Sequence, residues 1–204
     1  MRPGKSRSPK LLLLALFGLF TLPATAHAHS PVKGMGDFIS GLCHPLTTPS
    51  HVLLIVGLGL LAGRRHPFNL KLPMALFITC SGAALAIAVL GRIKTLHPAI
   101  LIGIALCVGA PLALDKNPAT LPFTALFAVA ALAMGLDSAP EPGSAASTAK
   151  TLLGNWLSLV VLVYDIAIYV SLGGQAKWLR VALQIAGAWM IAIAILVLAF
   201  ALRG

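Results

Sequence analysis

Charge is scarce in this sequence, and negative charge most of all. Only 10% of the residues are charged, and Asp and Glu together number five. A soluble domain carries roughly 25% charged and about 45–50% apolar residues, whereas this chain is 58% hydrophobic. That imbalance excludes a soluble globular domain and points to an integral membrane protein. Cysteine is scarce as well. Cys43, Cys80 and Cys107 each lie in or beside an apolar segment and form no CxxC, so a disulfide framework is not expected, and Cys80 and Cys107 read as small buried hydrophobes. No G-x-x-x-x-G-K-[ST] loop occurs, so the chain is not expected to hydrolyse ATP itself. Neither G-x-S-x-G nor H-E-x-x-H occurs, and with only six histidines to supply a base no enzyme activity is expected.

Positive charge is present, at a formal net +10, but its placement does not fit nucleic-acid binding. Arg2, Lys5, Arg7 and Lys10 precede everything apolar, and the other cations are scattered between apolar segments. They read as topology signals and headgroup contacts. The N-terminus has the three parts of a secretory signal: basic "MRPGKSRSPK", apolar "LLLLALFGLF", and "TLPATAHAH" with small residues at cleavage spacing. Cleavage after Ala26 or Ala28 makes residues 1–28 a signal peptide; the rival is an uncleaved first membrane helix. Export through such a signal puts the mature N-terminus on the periplasmic side of a bacterial inner membrane.

The rest, 29–204, reads as one polytopic helical domain. Six apolar segments follow the signal, at about 38–62, 72–90, 97–114, 119–136, 151–172 and 178–201. A span needs roughly 20 apolar residues. The runs are continuous rather than alternating, so helices rather than a barrel are expected, giving an all-α membrane protein of about six transmembrane helices. The separator at 137–150, "DSAPEPGSAASTAK", is the longest and reads as a mobile loop. With the N-terminus outside, Arg64, Arg65, Lys71, Lys116, Lys177 and Arg180 fall inside, and Lys33, Arg92, Lys94, Lys150 and Arg203 outside. That is a slight positive-inside excess. Gly57, Gly59, Gly82, Gly103, Gly109 and Gly187 recur within the spans and predict close helix contact.

Ionisable residues at membrane depth are functional candidates. Asp115, beside Lys116, and Glu141, in the Pro-rich separator, are expected to be merely solvated. Asp165 lies inside "LSLVVLVYDIAIYVSL", where a lone carboxylate costs roughly 2.5–3.5 kcal/mol on insertion scales. It is either a protonated or hydrogen-bonded structural residue or a functional one. Ser158, seven residues earlier, is expected on the same face. In "GLCHPLTTPSHVLLIVGLGLLAG", His44 and His51 are seven apart, which on a straight helix separates them by about 10 Å. Pro45 and Pro49 predict a break that brings both rings toward one point, with Thr47, Thr48 or Ser50 capping the helix beyond it. The imidazoles suit nickel, copper, zinc or iron, and Cys43 softer ions; alternatively both histidines hydrogen-bond locally at the interface. Cleavage after Ala26 leaves His27-Ala28-His29, a square-planar nitrogen set suited to Cu(II) or Ni(II). Cleavage after Ala28 leaves an N-terminal His29 that chelates through amine and ring. His66 and His97 read as interfacial, and a haem carrier ligated by His51 and His97 is a further rival.

The same stretch resembles the HupE/UreJ family, small bacterial membrane proteins tied to nickel supply for hydrogenase and urease. The family pattern is roughly H-P-x-x-G-x-D-H before an apolar helix with a late glycine; His44, Pro45, His51, the preceding Gly41-Leu42 and Gly57 match. Thr48 stands in place of the glycine and Ser50 in place of the aspartate. A second family motif, roughly H-G-x-A-H-G-x-E, has its counterpart in "AALAMGLD", residues 130–137. There Ala133 and Gly135 match, Asp137 replaces Glu, and Ala130 and Met134 replace the histidines. The resemblance implies a divalent-metal permease, with nickel favoured and copper, iron or cobalt as alternatives, and no permanently bound cofactor. His27 or His29 would capture the ion outside. His44, His51 and Asp37 or Cys43 would pass it on, and Asp137 and Asp165 would supply negative charge. The missing ligands imply either a divergent branch with another metal, for which Met134 and Cys43 are suited, or a non-transporting accessory protein. Implied partners are the lipid bilayer, the metal ion and a metalloenzyme maturation system. A homo-oligomer is allowed, and no nucleic acid is expected.

Overall fold

The computed structural model describes residues 36–90, 96–140, 143–174 and 176–201. The expected signal peptide, with His27 and His29, lies outside them. Among the described residues all regular structure is helical. The elements are α1 (Asp37–Thr47), α2 (Pro49–Gly63), α3 (Lys71–Val89), α4 (Pro98–Ala113), α5 (Thr120–Leu136), α6 (Ala145–Leu172) and α7 (Lys177–Ala201). The chain is a helical membrane protein: α3, α6 and α7 are each long and apolar enough to cross a bilayer, and α1 with α2 passes the same test as one bent span. The apolar helices α4 and α5, at 16 and 17 residues, are shorter than that test requires.

The break between α1 and α2 falls where the prolines predict it. Pro49 has no N–H to give to the carbonyl of Pro45, and its ring disfavours helical backbone at the preceding residue. Thr48 accordingly takes φ −99°, ψ 107°, and the two helices meet at 76°. The expected cap does not form. Thr48 occupies the N-cap position of α2 without a side-chain cap. Its hydroxyl instead donates backwards to the His44 carbonyl at 3.0 Å, joined by the Thr47 hydroxyl at 2.9 Å. Both hydroxyls thus satisfy a carbonyl that lost its helical donor when the backbone turned.

Helix α2 is central, touching α1, α4, α5, α6 and α7, while α3 pairs with α5, α1 with α6, and α4 with α7. Between helices in lipid the driving force is close van der Waals packing rather than burial from water, so small residues decide where backbones meet. The α1–α6 contact shows this most clearly. A Cβ on Gly41 would collide with the backbone of Thr151, and one on Gly154 with the carbonyl of Phe38. Gly57, Gly59, Gly109 and Gly187 also sit at tight contacts as expected, whereas Gly103 has open space around it. Leu54, Leu58, Phe77, Phe123 and Phe127 fill the centre.

Helix α6 begins at Ala145, inside the expected 137–150 loop. Ser144 caps it by accepting the Ser147 N–H at 3.2 Å, and the Ala/Ser/Thr/Lys run that follows is helical without being apolar. A hydropathy boundary therefore falls six residues late.

Candidate functional site

His44 lies in the last turn of α1 and His51 in the first turn of α2. Because the chain turns between them, their ring centroids are 5.7 Å apart with planes at 78°, an edge-to-face contact. His51 is fully buried, and its Nε2 lies 3.2 Å from Oδ2 of Asp137, the C-cap of α5. With Asp137 as the acceptor of this bond, Nε2–H donates and Nδ1 carries the lone pair. That Nδ1 is buried and has no hydrogen-bond partner among the described residues. A carboxylate holding the far nitrogen of an imidazole fixes its tautomer, orients the ring and raises its basicity. A lone pair prepared in this way is what a divalent transition metal takes from histidine. Asp137 also stands at the negative end of the α5 dipole, so carboxylate and helix end make one locus attractive to cations.

The other candidates are dispersed. Asp37 is exposed in the first turn of α1, and Cys43 is half-buried one residue before His44. Asp165 is exposed on α6 and makes no side-chain hydrogen bond or ion pair among the described residues. Ser158, expected on its face, is buried. The reason is drift: the buried positions Asn155, Leu159, Val163 and Ala167 advance by four residues at a time, turning the stripe by about 40° per step on a helix of roughly 3.6 residues per turn. Asp165 is left behind on the outer side. Asn155 is 2% exposed, and its Oδ1 also lacks a partner among the described residues. Met134 is buried in the core. His97 caps α4 by accepting the Ala99 N–H on Nδ1, and makes no contact with His51. Among the described residues, no group of three or more His, Cys, Asp or Glu side chains is arranged to hold a metal ion.

Asp115 is not merely solvated. It pairs with Arg64 at 3.2 Å and with Arg180 at 3.7 Å. The signal was present in the alternation of loops, which puts Arg64, Asp115 and Arg180 on one side of the membrane.

The family model described as HupE / UreJ protein matches residues 14–198, most of the chain. This chain belongs to the HupE/UreJ family. Neither a curated protein nor a solved structure matches it. In this HupE/UreJ chain the two stretches that carry the resemblance, around His44–His51 and at 130–137, are brought together by the His51–Asp137 contact across 86 residues of sequence. Its departures are also structural. Thr48, where the family pattern has glycine, uses its hydroxyl to close α1, a bond glycine cannot make.

Proposed function

We propose that the protein moves or delivers a divalent transition-metal ion across the bacterial inner membrane, with nickel favoured by its family, through six membrane crossings and with the mature N-terminus periplasmic. One observation carries the reading: a fully buried His51 whose Nε2 lies 3.2 Å from the Asp137 carboxyl and whose Nδ1 has no hydrogen-bond partner among the described residues. His44, beside it, is the natural second ligand, and the ion completes its coordination with water or a mobile group. His27 or His29 would hand the ion to this point. Movement is passive or coupled to protons, since the chain carries no ATP-binding loop. Asp165, on the outer flank of α6, stands apart from this path.

A second reading, a non-transporting accessory protein for metalloenzyme assembly, draws support from the lack of a three-ligand cluster among the described residues. Elemental analysis of the purified full-length protein beside a His44→Ala/His51→Ala double variant separates the two. Transport or delivery predicts nickel, copper, iron or cobalt in the wild type and its loss in the variant. Equal, negligible metal in both favours the accessory reading.

A further inference from the structure

At the opposite end of the bundle from His51, the ends of α2 and α4 and the start of α7 line a polar, half-open cavity of about 170 Å³, room for more than a single water. Arg64, Arg180, His66, Asn117 and Asp115 supply its polar wall, and Leu179 its apolar one. Asp115 is the sole acidic lining residue, against two guanidinium groups. The cavity therefore carries a net positive charge before His66 is considered.

The two arginines are engaged unequally. Arg64 is 10% exposed; its Nη1 donates to the carbonyls of Pro111 and Leu112, and its Nη2 pairs with Asp115. Burial lowers its pKa from the ordinary value, Asp115 raises it, and Arg180 lowers it again. Thus Arg64 is a cation held in place with less counter-charge than its burial calls for. Arg180 is 55% exposed and reaches Asp115 through Nε alone at 3.7 Å, beyond hydrogen-bond length. Its two terminal nitrogens have no partner among the described residues. They form the planar edge that binds phosphate-type oxyanions with two parallel bonds. Asn117 and His66 add further donors around the same space.

We infer that this cavity is a binding site for a phosphate-type oxyanion, gripped by Arg180 and Arg64 with Asn117 and His66 as further donors. This chemistry is independent of metal transport. Two sources offer that chemistry: the headgroup of an anionic lipid, whose acyl chains would run past Leu179 and the exposed Trp178 beside it, or a soluble phosphate.

The test is thermal unfolding of the full-length protein in nanodiscs, in two arms. One compares phosphatidylcholine discs with discs containing phosphatidylglycerol, without added phosphate. The other adds inorganic phosphate to phosphatidylcholine discs, against sodium chloride at matched ionic strength. A Tm raised by a few degrees in the first arm identifies a lipid headgroup, and in the second a soluble anion. In either case Arg180→Ala, an exposed position whose loss leaves the Arg64–Asp115 pair intact, is expected to abolish the rise. No rise in either arm, the same rise with chloride, or an undiminished rise in Arg180→Ala overturns the site.

Discussion

At the scale of single residues, the pair His51–Asp137 concentrates the chemistry. His51 is fully buried and tied to a carboxylate that is 18% exposed, so each side chain is positioned by the other. Asp137→Asn keeps a neutral carbonyl acceptor but loses the carboxylate charge behind the ring. Loss of a carboxylate behind a metal-binding histidine typically costs about 10–100-fold in affinity, and a fall of that size in metal binding or uptake is expected at unchanged expression. His51→Ala removes the proposed ligand itself and is expected to abolish uptake. Asp165→Asn is the contrasting case. The carboxylate has no side-chain partner among the described residues and lies off the buried stripe of α6, so uptake measured in parallel should stay at the wild-type level. A loss equal to that of Asp137→Asn would put Asp165 back on the ion path.

At the scale of elements, two devices shape the site: the turn at Thr48 and the dock of α1 on α6. Restoring an N–H at the turn, with Pro49→Ala, removes the ring that forces Thr48 out of helical backbone. Uptake is expected to fall, because a straighter segment separates His44 from His51 toward the roughly 10 Å of two helical turns, while expression holds. Gly41→Leu attacks the dock. Its side chain must displace the Thr151 backbone, and overpacking of this kind typically costs about 1–3 kcal/mol; a lowered melting midpoint in detergent checks it. Gly103→Leu, with open space around its Cα, should leave the midpoint nearly unchanged. These elements also show what a reader of the sequence can and cannot see. Pro45 and Pro49 announce the break because proline acts on its own backbone, locally and unconditionally. The six apolar runs announce the helices because lipid demands them. The hydroxyl of Thr48 does not announce its partner: capping forward and bonding backward are equally open until the 76° turn fixes the geometry. The outward position of Asp165 is hidden as well, since the face that a helix buries depends on which neighbours it meets along its length, and α6 meets α1 first and α2 later. The link between His51 and Asp137 spans two segments whose pairing no local rule supplies.

At the scale of the whole molecule, charge is sorted to two ends. His51 at the start of α2 meets Asp137 at the end of α5, which fixes one end of the bundle. The other end is fixed by Arg64 and Arg65 after α2. Arg64 bonds the final turn of α4, and Arg65 holds the Pro118 carbonyl and the Thr120 hydroxyl at the start of α5 and lies 4.6 Å over the Phe123 ring. Arg180, in the first turn of α7, reaches the same end through Asp115. These ties run α2 and α4 toward the arginine end and α5 and α7 away from it. The short helices α4 and α5 are thereby tied to α2 at their ends. Arginines gather on the cytoplasmic face of membrane proteins, so the proposed orientation predicts the histidine end outside. Alkaline phosphatase fusions read this directly. Activity is expected after Ala139 and after Gly204, with none after Phe68 or Asn117. Equal activity after Asn117 and Ala139 would remove α5 from the spans, and activity confined to Phe68 and Asn117 would invert the molecule and turn its histidines toward the cytoplasm.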